Sequence, residues 1–165
     1  FVLYFIQYVF YFANKPQGVT MANLLHSILP EPRRPIVSVH PDVSVSRCVA
    51  MMVEDNIGAL VVMDEENLLG VLSERDIIRS LVHKGVSAES TRADEILCAD
   101  VTVLHETETV EKAMQAMIVT KRRHVLITDD KDALIALVSI GDLLFSLLED
   151  NARKIEHLEN YIHNY

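Results

Sequence analysis

Apolar positions along this chain alternate between two spacings. Ile36, Val37, Ser38 and Val39 form a short run that reads as a strand, turned by Pro41 and Asp42. Ser44 then precedes Val45, Cys48, Val49, Met52 and Val53, the i, i+3, i+4, i+7, i+8 spacing of a capped helix with one apolar face. Gly58 to Met63 predicts a buried strand, Asp64 to Asn67 a turn, and Leu68 to Leu72 a second buried strand. A helix carrying Ile77, Ile78, Leu81 and Val82 follows and stops at Gly85, which tolerates the left-handed backbone of a helix end. The order is β-α-β-β-α.

The same order then returns. Val101 to Leu104 predicts a strand, and Thr109 caps a helix with Val110, Ala113, Met114, Met117 and Ile118. Val125 to Thr128 and Leu134 to Val138 predict strands around a turn at Asp129 to Asp132. Ser44 and Thr109 are 65 positions apart and Ser73 and Ser139 are 66 apart, so the second turn carries one extra residue. Two copies, rather than the three or more of a solenoid, predict an α/β (α+β) fold packed with pseudo-twofold symmetry. The repeats span residues 36–85 and 101–149, joined by a linker, 86–100, in which Ala93 to Leu97 predicts a turn of helix.

Each copy closes on one kind of junction. Ser73 and Asp76, then Ser139 and Asp142, stand three residues apart where an extended run becomes a helical one. Such side chains can cap the helix by accepting from its orphan N–H groups. The same groups can instead hold the sugar and phosphate of a ligand. One copy alone favours the cap; a second at matched register gives weight to the ligand.

The flanks differ from the repeats. Residues 150–165 extend the last helix, and Leu144, Leu148, Ile155, Leu158 and Ile162 keep one apolar stripe through it. That seam must bury against its own domain or a second chain, and the second option predicts a homodimer. Residues 21–35 predict a short helix (Leu24, Leu25, Ile28, Leu29) and a linker broken by Pro30, Pro32 and Pro35. Arg33 and Arg34 in that linker read as solvated charge rather than a contact to a ligand or partner. Residues 1–20 hold seven of the ten aromatic residues, in a run shorter than the ~20 residues of a membrane helix. They read as upstream sequence ahead of a start at Met21, as the tail of a truncated membrane helix, or as a segment that packs on a partner; the first is favoured.

Composition narrows the function. Half of the 165 residues are apolar, as in a globular chain, and the net charge of −9 lacks the broad basic surface that nucleic acid requires. A small anionic ligand needs only a local basic pocket, and Lys121-Arg122-Arg123-His124 is the one basic cluster. Cys48 falls on an apolar helix face, and Cys48 and Cys98 form no CxxC, which predicts free thiols in a reducing compartment, the cytoplasm. The seven histidines show no metal-ligand spacing, and no nucleophile motif sits beside a base, so neither a metal site nor an enzyme is expected.

These pieces together resemble a known module. Gly70-Val71-Leu72-Ser73-Glu74-Arg75-Asp76, Ser38-Val39-His40-Pro41-Asp42, Arg123-His124-Val125-Leu126-Ile127 and Val138-Ser139-Ile140-Gly141-Asp142 resemble the cystathionine-β-synthase (CBS) domain pair, or Bateman module, over about residues 36–149. The resemblance implies a non-catalytic regulatory module with no required cofactor. It would bind an adenosine-containing ligand (AMP, ADP, ATP, NAD(H) or S-adenosylmethionine) between the copies and modulate a partner protein of unknown identity. It implies that Asp76 and Asp142 accept ribose hydroxyls and that Ser73 and Ser139 donate to phosphate. Ile57, Gly58 and Ala59, with Val37 and Ser38, would form a slot for adenine. Arg122, Arg123 and His124 would face the phosphates, with Arg75 and Thr102 also at the ligand.

The second copy departs from the pattern. Ala136 stands where the first has Gly70, His105-Glu106-Thr107 replaces the proline turn, and Val103 rather than Thr102 falls opposite Ser38. Unequal clefts are therefore expected, with Gly70 to Asp76 as the better-kept half-site. Two alternatives stand beside this reading: a structural dimerisation module with vestigial clefts, and the cytosolic regulatory part of a membrane transporter.

Overall fold

The protein was analysed as a computed structural model that describes residues 23–163, with side chains through Arg153 and at Ile155. The aromatic segment 1–20 and the side chains of Leu158 and Ile162 lie outside the described residues. The first repeat runs β1 (Ser38–Val39), α1 (Val45–Glu54), β2 (Ala59–Asp64), β3 (Asn67–Ser73) and α2 (Glu74–Ile78), which continues as a π-helical turn, Arg79–His83. A short α3 (Ala93–Ile96) leads into the second: β4 (Val103–His105), α4 (Val110–Thr120), β5 (His124–Thr128), β6 (Leu134–Ser139) and the long α5 (Ile140–His163). Ser44 and Thr109 cap α1 and α4 by accepting from the backbone N–H of Arg47 and Lys112, at 3.3 and 3.1 Å. Both helices begin where the hydroxyl supplies the acceptor that the chain cannot.

Each repeat builds one three-stranded sheet, in the orders β1-β2-β3 and β4-β5-β6. In each, the first pair is parallel and the second antiparallel. Ser38 pairs with Val61 and Val103 with Leu126, so Val103 is the counterpart of Ser38. Val39, Cys48, Leu60 and Leu72 fill the core of the first repeat, and Leu104, Val110, Ile127 and Leu143 that of the second. A third core, Ala59, Val61, Val71 and Leu126, lies between the sheets and joins the repeats.

The leading segments are exchanged. A 3-10 turn, Leu25–Ile28, precedes the first repeat but docks on the second. Leu25 N–H donates to Glu108 C=O and Val110 N–H to Asn23 C=O, both at 2.8 Å, and the Leu25 side chain is fully buried. Conversely, α3 precedes the second repeat and docks on the first: Ala93 N–H donates to Val43 C=O at 2.8 Å, and Ala93 and Ile96 join that core. Isolated β-bridges Leu24–Thr109 and Ser44–Arg92 tie each exchanged segment to the capping residue of the other repeat. The linker arginine expected in solvent is also engaged, since Arg33 meets Glu106 at 2.7 Å.

One expectation about burial needs correction. Val53, Ile78 and Val82, assigned to the apolar faces of their helices, are 75%, 60% and 81% exposed, and Ile118, Leu144 and Leu148 in the second repeat face out as well. A three-stranded sheet covers only a narrow arc of a helix, so Val45, Cys48 and Met52 reach the core while Val53 does not. The glycine difference has a steric cause. Val71 and Cys98 exchange backbone hydrogen bonds at 3.0 and 2.9 Å, which lays the linker across β3. A Cβ on Gly70 would stand 2.3 Å from the Cys98 carbonyl oxygen. Gly70→Ala is expected to lower unfolding free energy by about 1–3 kcal/mol, as overpacking does, seen as a lower urea midpoint; an unchanged midpoint would contradict this close approach.

Candidate ligand site between the repeats

Both closing junctions are capping boxes. Ser73 Oγ accepts from Asp76 N–H at 3.3 Å, and Asp76 Oδ2 accepts from Ser73 N–H at 3.2 Å and from its hydroxyl at 2.5 Å. Ser139 and Asp142 repeat the arrangement at 3.2, 2.8 and 2.6 Å. Each hydroxyl proton is committed to its own carboxylate. A phosphate could take it only by breaking that bond, so the structure turns the serines toward holding the aspartates in place.

The second repeat reaches across to the first junction. The loop after α4 turns at Lys121, in the left-handed region at φ 58°, and this carries Arg122 toward Asp76. Arg122 Nη1 lies 2.7 Å from Asp76 Oδ1, with the two side chains 35% and 13% exposed. Arg75 Nη1 donates to the Lys121 carbonyl at 3.2 Å, a second tie between the same segments. Burial alone would raise the Asp76 pKa. The Ser73 hydroxyl and the Arg122 guanidinium outweigh it and hold the carboxyl below its ordinary value. A depressed folded-state pKa stabilises the fold above the ordinary carboxylate range, and that contribution is lost as pH falls through it.

Ser73, Arg75, Asp76, Arg122, Arg123 and His124 line one cavity of about 30 Å³, room for a water rather than a nucleotide. Cys98 from the linker, Val101 just ahead of β4, Lys121 and Val71 complete its walls. The linker residue was not expected at a site; the only sequence signal was the apolar run Ile96-Leu97-Cys98 inside a nominal linker. Other predicted residues stand apart from this cavity. Ala59 is buried in the core between the sheets and Val37 packs on the first-repeat core. Ser38 is exposed on β1, and Thr102 supplies its carbonyl to Leu126 N–H at 2.9 Å. Ile57 and Gly58 instead line an open groove of about 610 Å³ with Val49, Val53, Glu74 and Ile78.

His124 links the two junctions. It pairs with Ser139 across β5 and β6, and its ring approaches Gly58, where Glu74 also lies. Glu74 is a further polar neighbour that the sequence did not single out. Burial and the Arg123 cation lower the His124 pKa, against the pull of Asp142, Glu74 and Asp76. A histidine that binds its proton less well folded than unfolded costs stability as pH falls through the ordinary histidine range. The melting temperature of wild type is therefore expected to drop between about pH 8 and about pH 5 by more than that of His124→Gln. Parallel pH profiles would contradict a half-buried His124 with a lowered pKa.

Among the described residues no group of three or more His, Cys, Asp or Glu is placed to hold a metal, and no helix is long and apolar enough to cross a membrane. The fold and the site define a class: a tandem pair of mixed-sheet repeats, each closing on a capped junction, with a loop of the second repeat meeting the junction of the first. Comparison with known proteins names it. The CBS domain model matches residues 25–83 and 93–149, and the chain belongs to the CBS domain family. It is 34% identical over 127 residues to the mitochondrial CBS domain-containing protein CBSX3 of Arabidopsis thaliana, across 73% of this chain but only 61% of that relative's length. A CBS-domain protein of solved structure from Burkholderia ambifaria shares 33% identity and a TM-score of 0.74, covering 78% of this chain and 96% of that one. A CBS domain pair in complex with 5′-methylthioadenosine and S-adenosyl-L-methionine has the same fold (TM-score 0.67, 22% identity, 78% of this chain and 98% of that one).

Proposed function

We propose that this chain is a non-catalytic regulatory module that binds an adenosine-containing ligand, AMP, ADP, ATP or NAD(H), between its repeats and modulates a partner protein. The observation that carries this reading is the meeting of Asp76 with Arg122, Arg123 and His124 across the repeats. A carboxylate can accept two ribose hydroxyls, and the adjoining cations can take phosphate by charge-assisted hydrogen bonds. Asp142, held by Ser139 in the same way, supplies a second carboxylate. The structural relative bound to 5′-methylthioadenosine and S-adenosyl-L-methionine supports adenosine as the common feature. The free thiols Cys48 and Cys98 suit a reducing compartment such as the cytoplasm.

Thermal-shift measurements with AMP, ATP, NADH and S-adenosylmethionine test this. Stabilisation by at least one adenosine ligand is expected, and by none of them is the result that refutes it. The outward apolar positions favour a companion reading, homodimerisation. Val53, Ile78 and Val82 are matched by Ile118, Leu144 and Leu148 at the equivalent places of the second repeat, so each repeat exposes large apolar side chains on the same two helices. Sedimentation of the wild type as a dimer, and of Val53→Glu/Leu148→Glu as a monomer, is the expected outcome.

A further inference from the structure

We infer that Arg122 gates the Asp76 half-cleft, admitting a nucleoside that carries phosphate and holding out one that does not. The inference rests on the adenosine-site reading above and adds a selectivity to it. Both oxygens of Asp76 are taken: Oδ2 by the Ser73 hydroxyl and N–H, Oδ1 by Arg122 at 2.7 Å. The remaining space is water-sized, about 30 Å³. A ribose can reach Asp76 only if the guanidinium withdraws.

The other junction has no such gate. Asp142 Oδ2 accepts from Ser139, and among the described residues no side chain donates to Oδ1. The register explains the difference. Asn56, Ile57 and Gly58 occupy the places in the first repeat that Lys121, Arg122 and Arg123 occupy in the second, so Ile57 stands where a cation would have to be. One half-cleft is closed by an ion pair, and the carboxylate of the other junction is exposed.

Withdrawal of Arg122 strands a cation that the site otherwise satisfies. A 5′-phosphate replaces the lost partner, so ion pair is exchanged for ion pair. An uncharged adenosine offers nothing in return, and its ribose must compete with Arg122 for the same carboxylate. Phosphate-bearing nucleotides thus enter at Asp76, and uncharged adenosine is left to Asp142.

Calorimetric titration of AMP and of adenosine into Asp142→Ala, which isolates the gated side, tests this against Asp142→Ala/Arg122→Gln. AMP is expected to bind at least about tenfold tighter than adenosine when Arg122 is present. Arg122→Gln should weaken AMP, strengthen adenosine and erase the preference, and Arg122→Lys should retain it. Equal affinities with Arg122 intact, a preference that survives Arg122→Gln, or a Asp142→Ala protein that binds neither while wild type binds AMP each overturns the gate and leaves the adenosine site standing. Failure of wild type to bind either ligand removes the gate, and failure to bind ATP, NADH and S-adenosylmethionine as well removes the site. Circular dichroism melts of the variants confirm that the titrated proteins are folded.

Discussion

Replacing both Asp76 and Asp142 by alanine weakens adenine-nucleotide binding by about 100-fold or more. A hydrogen bond to a charged group contributes about 1.5–3 kcal/mol, and each carboxylate offers two such bonds to a ribose. Loss of even two bonds at one site amounts to about 3–6 kcal/mol, or two to four orders of magnitude in Kd. The protein itself should survive. The aspartates close capping boxes at Ser73 and Ser139, and losing a cap interaction costs about 1 kcal/mol. Calorimetry with AMP reads the binding loss, and a melt reads the stability. A double variant that binds AMP as wild type does would show that neither junction is the ribose site.

Leu126→Ala should be among the most damaging single substitutions outside the clefts. Leu126 is fully buried on β5, in the core that Ala59, Val61 and Val71 share from the other sheet. Truncating a buried leucine costs about 2–5 kcal/mol, a large share of the roughly 5–15 kcal/mol that holds a domain folded. Leu60→Ala, in the first-repeat core alone, should lower stability by a comparable amount. Both variants should still unfold in one transition in urea. The exchanged segments around Leu25 and Ala93 and the shared core make each repeat depend on the other. Two separated transitions, with Leu60→Ala shifting only one, would show that the repeats fold independently.

The sequence carried the order of elements well because each element was written twice. Ser44 and Thr109 announce α1 and α4, and Ser73 and Ser139 announce the last helix of each copy, all with local spacing that a cap requires. Partners at long range were not legible. Periodicity shows that Leu25 has a buried face but not that the face belongs to the second repeat. The same limit hid the Arg122–Asp76 pair, 46 positions apart, and the approach of Glu74 to Gly58. Exposure was misread where a helix has more apolar positions than its sheet can cover, as at Val53, Ile78 and Val82. The departure of Ala136 from Gly70 reflects packing: Cys98 presses on one strand and has no counterpart against the other among the described residues.

The fate of the two serines illustrates the same point at the site. Sequence allowed them either a cap or a phosphate; the hydrogen bonds assign them to Asp76 and Asp142. On the proposed reading, phosphate recognition falls to the basic loop at Lys121 to His124, whose Arg122 pairs with Asp76 and with no group of the other junction among the described residues. The inequality of the two half-clefts therefore follows from the loops opposite them more than from the junctions, which are nearly superimposable in their bonding.

A crystal structure of the chain grown with saturating AMP tests the central claim most directly. The account predicts ribose hydroxyls within hydrogen-bond distance of the Asp76 or Asp142 carboxylate, and at the Asp76 side Arg122 turned from the carboxylate to the phosphate. AMP bound away from both aspartates, or no AMP bound at saturation, would contradict it.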